Sequence, residues 1–255
     1  MPELSPAPPP DGDAGARPAW YSTDSGGWRD WVNVLHPPYT AWHLSYVLVG
    51  AGLAPVLSVS RLIATLAAFA LAVGVAAHGW DELHGRPLGT AISASLLAMV
   101  SATALLAAVA IGAVGITRVG WGLAGFIAVG ALLVVAYNLE LWGGRLHNDV
   151  TFALSWGAFP VLTAYYAQAG TLRPAAAAAA VYAFGLSRAQ RILSTEARDL
   201  RRRVTEIAGT KTYRDGTQTP LSRASALAPL EHSLVVLSWC TCALGVALVL
   251  ARTGH

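Results

Sequence analysis

His78, Asp81 and Glu82 lie three and four residues apart, and His84 and Arg86 follow at once in the stretch His78-Gly79-Trp80-Asp81-Glu82-Leu83-His84-Gly85-Arg86. Spacings of three and four put side chains on one helical face. Carboxylates and imidazoles so arranged can hold a divalent cation. Oxygen ligands suit Mg²⁺, and imidazole suits zinc or iron. An apolar run that begins at Leu62 precedes these residues, so they stand where a membrane helix would end. Charged groups at that depth are costly, and they usually serve a function when they face a bundle interior. The plainer alternative is a hydrated loop with a helix-end histidine.

Three further constellations carry chemistry. The stretch from Tyr137 to Asp149 offers Arg145 as an anion clamp and Asn138, Glu140, His147 and Asp149 as ligands. A polar turn on Gly143-Gly144 is its structural alternative. The second places Arg188 and Arg191 within an apolar run, followed by Glu196, Arg198, Asp199 and Arg201 to Arg203. Arg188 and Arg191 suit phosphate as well as they suit snorkelling. Glu196 and Asp199 share a face, and Arg201–Arg203 read as a helix end on anionic headgroups. The third is Glu231-His232, with His36 and His43 as further candidate ligands.

The elements that must position these groups are membrane helices. The chain has 255 residues, 55% hydrophobic and 12% charged, with a formal net charge of +3. That balance predicts an all-α polytopic membrane bundle rather than a soluble domain. Seven apolar segments run roughly 40–57, 62–77, 90–116, 121–139, 150–172, 175–193 and 233–251. Each is long enough to approach the ~30 Å of hydrocarbon at ~1.5 Å per residue. Pro55 and Pro160 are candidate kinks, and Gly122, Gly125 and Gly130 candidate sites of close helix approach. Residues 1–35 read as a disordered segment to about Gly27 followed by a short interfacial helix bearing Trp28 and Trp31. Residues 36–255 form one transmembrane domain.

Arginine placement orients the bundle. The N-terminal segment and the loops after the second, fourth and sixth segments hold all the cations except Arg61, Arg118, Arg173 and Arg252. The positive-inside rule then puts the N-terminus in the cytoplasm, with the plasma membrane as the expected location. Six of the seven histidines fall at the same side, namely His36, His43, His78, His84, His147 and His232. The acids Asp81, Glu82, Glu140, Asp149, Glu196, Asp199 and Glu231 join them, so one shared cavity open to the cytoplasm is expected.

Some chemistry is excluded. The single lysine, Lys211, lies in a loop, so no helix carries a Schiff-base lysine. Cys240 and Cys242 sit two apart within an apolar run and point to different faces, which rules out a CxxC site. No Gly-rich phosphate loop, GxSxG or HExxH is present. No separate basic domain suggests nucleic acid. The expected partners are membrane lipids and a lipophilic small molecule.

In the order of its motifs the chain resembles the UbiA superfamily of intramembrane prenyltransferases. Asp81 and Glu82 close the second segment and lead into Arg86-Pro87-Leu88. Gly89-Thr90-Ala91-Ile92-Ser93 opens the third, Tyr137-Asn138 ends the fourth, Trp156-Gly157-Ala158-Phe159-Pro160 lies in the fifth, and Glu196 and Asp199 follow the sixth. The likeness covers roughly residues 36–205. It implies Mg²⁺ held by two acidic motifs on a prenyl diphosphate whose phosphates are gripped by basic residues. It thus marks Asp81, Glu82 and Tyr137 as catalytic and Arg86, Asn138, Arg145, Arg188 and Arg191 as substrate-binding. The first motif departs from the family's Asn-Asp-x-x-Asp-x-x-x-Asp, and seven segments stand where nine are usual. Two other readings stay open. One is a membrane oxidoreductase with iron or another transition metal, drawing on His78, Asp81, Glu82, His84, Glu140, His147 and His232. The other is a non-catalytic transporter or lipid-binding protein.

Overall fold

The computed structural model describes residues 17–253, and they are mostly helical. Eight helices follow in order. They are α1 (Trp28–Leu35), α2 (Pro37–Gly52), α3 (Val59–Leu83), α4 (Ala94–Val119), α5 (Gly122–Asn138), α6 (149–169), α7 (Pro174–Arg202) and α8 (Arg223–Thr253). An exposed hairpin of β1 (Thr210–Thr212) and β2 (Gln218–Pro220) sits between α7 and α8. A helix occupies each of the seven apolar segments. Three of them, α3, α4 and α8, are long and apolar enough to cross a membrane, and α5 is a shorter apolar helix. Large apolar side chains such as Leu106, Val114, Trp239 and Leu250 are exposed on this surface. That suits contact with lipid and would be a liability in water.

The helix boundaries follow from local chemistry. Asn148 caps α6, its side-chain oxygen accepting from Val150 N and Thr151 N at 3.0 and 2.9 Å. Gly170 ends α6 in the left-handed conformation, and Pro174 opens α7. Around α2 the packing is close. A Cβ at Gly50 would strike the Val161 carbonyl, so α2 and α6 touch backbone to backbone. At Gly157 it would lie 2.6 Å from the Ala183 carbonyl of α7. Gly122 and Gly130 of α5 lie against Tyr166 and Phe159 of α6 as expected, while Gly125 faces open space. Trp42 donates to Tyr46 (2.7 Å), which also accepts from Ser187 (3.1 Å), tying α2 to α7.

Two helices are interrupted in their winding. α3 passes through a π-helical stretch at Ala70–Ala77, and α6 through another at Leu154–Ala158. A π turn holds an extra residue, so every side chain beyond it is rotated relative to a regular helix. Pro55 falls after the end of α2 and bends nothing there, whereas Pro160 follows the π stretch of α6 directly.

The N-terminal expectation is met in part. Residues 1–16 lie outside the described residues. Residues 17–27, expected to be disordered, instead fold onto the bundle, with Ala19 and Ser22 buried. Asn33 holds them by accepting from Thr23 N (2.8 Å) and donating to the Thr23 carbonyl (3.0 Å). α1 forms as expected, and its buried Asp30 accepts from Gly26 N and Ala91 N, pinning the α3–α4 loop.

Candidate functional site

The ends of α3, α5, α6, α7 and α8 meet the start of α2 around one polar cavity of about 250 Å³ at the arginine-rich end. Its wall brings together His36, His43, His78, Asp81, Tyr137, Asn138, His147, Gln190, Arg191, Arg198 and Glu231. Four of the six histidines grouped by sequence therefore meet. Residues Pro18 to Tyr21 pass across this wall as a strap. Arg202 Nε holds it through the Pro18 carbonyl (3.2 Å), and Arg201 reaches the Arg17 carbonyl (3.4 Å).

Asp81 is the exceptional acid. Among the described residues no donor hydrogen-bonds its carboxylate and no cation pairs with it. Arg191, Arg198 and His147 line the same cavity wall. The other cavity acid, Glu231, is bound in a two-pronged pair to Arg201 at 2.5 and 2.8 Å. Arg198 is also uncommitted among the described residues, where its guanidinium reaches only the Thr195 hydroxyl (3.2 Å). Arg191 lies over the Phe152 ring, 5.1 Å from its centre, and pairs with Asp149 (3.1 Å). Slight desolvation of Asp149 works against its charge. The hydrogen bonds and charges of Arg191 and Arg188 outweigh it and hold the carboxyl below its usual range.

The histidines are fixed by specific partners. His43 donates through Nδ1 to the Trp156 carbonyl (3.0 Å). Pro160, four residues on, has no N–H to offer that carbonyl. His36 Nδ1 accepts from the Tyr21 hydroxyl, and its ring lies 4.6 Å from that of His78. Burial, and then the charges of His78, Arg198 and Arg202, hold the His36 pKa well below the usual imidazole value, so it is neutral at pH 7. Burial likewise keeps the proton on Tyr21. His147 stacks on Tyr137 at 4.5 Å. The Tyr137 hydroxyl and Gln190 Oε1 are buried in this wall, and neither has a partner among the described residues. An orphaned buried polar atom is costly, so both are poised for a ligand.

Other sequence candidates lie elsewhere. Glu82 is not a ligand here. It is fully buried and accepts from Leu88 N (2.9 Å), Thr90 N (2.9 Å) and Thr90 Oγ1 (2.8 Å), which closes the loop after α3. Arg86 serves the same loop, donating to the Ile92 carbonyl (2.6 Å). His84 and Glu140 face each other at 3.6 Å outside the cavity wall. Arg145, Glu196 and His232 are exposed, and Asp199 pairs with Arg203 (3.0 Å). Arg188 forms an ion pair with Asp149 (3.2 Å) and does not line the cavity. Conversely, the sequence reading gave no role to Tyr21 or Gln190, and it placed Arg198 only in a charged run. Arg198 lies four residues beyond Ser194 and eight beyond Gln190, a helical stripe that could have marked it.

A second cavity, of about 770 Å³, lies between α3, α4, α5 and α6. Its wall is mostly apolar, with Phe69, Leu105, Ile111, Phe126, Ile127, Val134 and Phe159 among its residues. Val73 and Trp156 line both cavities, and each lies in one of the two π stretches.

Among the described residues no three of His, Cys, Asp or Glu form a metal-binding group. A transition-metal centre of imidazoles and carboxylates therefore has no assembled ligand set. Mg²⁺ makes a smaller demand, because it commonly binds one or two carboxylates and completes its shell with phosphates and water. Asp81, open to the cavity beside two arginines, fits that pattern. The chain matches no family model, no curated protein and no solved structure.

Proposed function

We propose that this protein is an integral-membrane, UbiA-like enzyme that transforms a prenyl diphosphate or a similar lipophilic substrate at the cytoplasmic face. One observation carries the reading. A cavity lined by Arg191, Arg198, Arg201 and Arg202 adjoins a larger apolar cavity, and Val73 and Trp156 belong to both. Such a pair suits an amphiphile, with its anionic head at Arg191 and Arg198 and its tail among the apolar side chains. In this reading α2, α5, α6 and α7 complete a seven-span bundle with α3, α4 and α8. The excess of arginine at the strap end puts the N-terminus in the cytoplasm, with the plasma membrane as the location.

The residues then divide the work. Arg191 and Arg198 bind the diphosphate and steady the charge that grows as pyrophosphate departs. Tyr137 donates its orphaned hydroxyl to the same head, and Asn138 lines its approach. Asp81 would hold Mg²⁺, which when bound offsets phosphate charge and eases the leaving group's departure. Trp156, Phe152 and the strap keep water from the allylic carbon.

The test is incubation of membranes containing the protein with prenyl diphosphates and Mg²⁺, reading pyrophosphate release. Release that Arg198→Ala abolishes supports the assignment. Binding without turnover would reduce the protein to a lipid binder, and no binding of any prenyl diphosphate would remove the reading.

A further inference from the structure

Several helix hydroxyls in this bundle satisfy themselves by bonding back to their own helix. Ser45 donates to the Trp42 carbonyl (2.6 Å), Thr65 to Arg61 (2.7 Å), Ser238 to Leu234 (2.7 Å) and Thr241 to Leu237 (2.7 Å). Back-bonding of this kind is the cheapest solution for a hydroxyl in apolar surroundings. Ser155 and Thr163 do not bond back in this way. Both are on α6, Ser155 is 1% exposed and Thr163 is 9% exposed, and neither hydroxyl has a partner among the described residues. Both line the apolar cavity. They are eight residues apart, a spacing that on a regular α-helix turns the second about 80° away from the first. The intervening π turn takes up part of that rotation, so both residues border one void. Ser101 is a third orphan, but it lines neither cavity and presses on Gly79, so it says nothing about a ligand.

We infer that the occupant of the apolar cavity is a lipid whose chain carries hydrogen-bonding oxygen, a hydroxyl or carbonyl, set against Ser155 or Thr163. A plain hydrocarbon would leave two buried hydroxyls unpaired, which is unfavourable in a dry cavity. An oxygen-bearing chain pairs them and gains specificity, because a site built to hydrogen-bond an oxygen rejects the analogue lacking it. The apolar side chains around the hydroxyls still take the rest of the chain by burial. This inference rests on the proposal that the apolar cavity is a tail site, and the test separates the two.

Ricinoleate and oleate are suitable probes, since they differ only by one mid-chain hydroxyl. Binding of each to the full-length protein in lipid nanodiscs is followed through tryptophan fluorescence, for wild type, Ser155→Ala, Thr163→Val and the double variant. The expected result is a wild-type preference for ricinoleate of roughly three- to ten-fold, the range of one neutral hydrogen bond. The double variant should lose that preference while keeping oleate affinity. Equal wild-type affinity for the two fatty acids overturns the inference and leaves the tail site standing. So does a double variant that weakens both equally. If neither fatty acid binds, the tail site itself is wrong and the inference falls with it.

Discussion

Asp81 and Glu82 are neighbours with opposite duties, and the difference lies in what donates to them. Three donors of the α3–α4 loop satisfy Glu82, while no described residue donates to Asp81. Glu82→Gln keeps the shape but turns an amide N–H toward backbone donors. It should lower the unfolding temperature in detergent through a loss of about 1–3 kcal/mol. Asp81→Asn should leave that temperature unchanged or raise it, while turnover of prenyl diphosphate falls at least a hundredfold, because a neutral amide is a poor Mg²⁺ ligand. A variant that keeps its Mg²⁺-dependent turnover would take Asp81 out of the site. The sequence could not separate the pair, since helical spacing treats both as site residues and the amides of Leu88 and Thr90 reach Glu82 only through a tertiary fold. His36 makes a third test. Its folded-state pKa lies below the ordinary value of about 6.5, so below that pH the unfolded chain binds more protons. Its contribution to stability is fully present above about pH 6.5 and is lost as the pH falls toward the folded-state value. Thermal unfolding should therefore soften as the pH falls below about 6.5, and less so in His36→Gln. Equal pH slopes in the two proteins would show that His36 is not the group responsible.

At the scale of elements, the two π stretches decide which side chains meet. The stretch in α3 comes just before His78 and Asp81 and sets the direction in which they leave the helix. The stretch in α6 includes Trp156 and ends just before Pro160. Inserting one alanine between Ala77 and His78 keeps the π stretch and should swing His78 and Asp81 by about 100°. The expected outcome is a helical, membrane-inserted protein that no longer responds to prenyl diphosphate. Circular dichroism beside a binding assay checks it, and retained binding would mean that the π register does not aim the site. Here the sequence was only partly legible. It showed seven apolar runs, and all seven are helices. It showed Pro160 as a candidate kink, although its observed consequence is a Trp156 carbonyl that lacks the donor four residues on and meets His43. The extra residue in each turn was hidden, because an apolar run has no periodicity sharp enough to reveal a shift of one position.

On the scale of the whole molecule, the arrangement is a polar chamber at the arginine-rich end and an apolar chamber that shares Val73 and Trp156 with it. Charge made the first chamber legible, since arginines and histidines from distant segments had one end in common. The second chamber was not legible. Its wall includes Ala64, Ala68, Ala72, Ala108, Gly112, Gly115 and Gly130, which in a sequence read as places where helices come close. Small residues equally permit a void, and only the packing of α3 to α6 decides between the two. That ambiguity also supplies the test of whether the void holds a chain. Ala108 is buried midway along α4 and lines the cavity, so Ala108→Trp would place an indole where a tail is expected to run. A blocked tail site still admits lipids that end short of the indole. Each methylene denied burial costs about 0.8 kcal/mol, so excluding two or more should weaken long-chain prenyl diphosphates by roughly tenfold or greater. Short-chain affinity should stay within about twofold, since Arg191, Arg198 and Tyr137 are untouched. The measurement is affinity against chain length for wild type and variant in the same nanodiscs. A length profile that does not move would mean that the tail runs along the outer lipid-facing surface and not through this cavity.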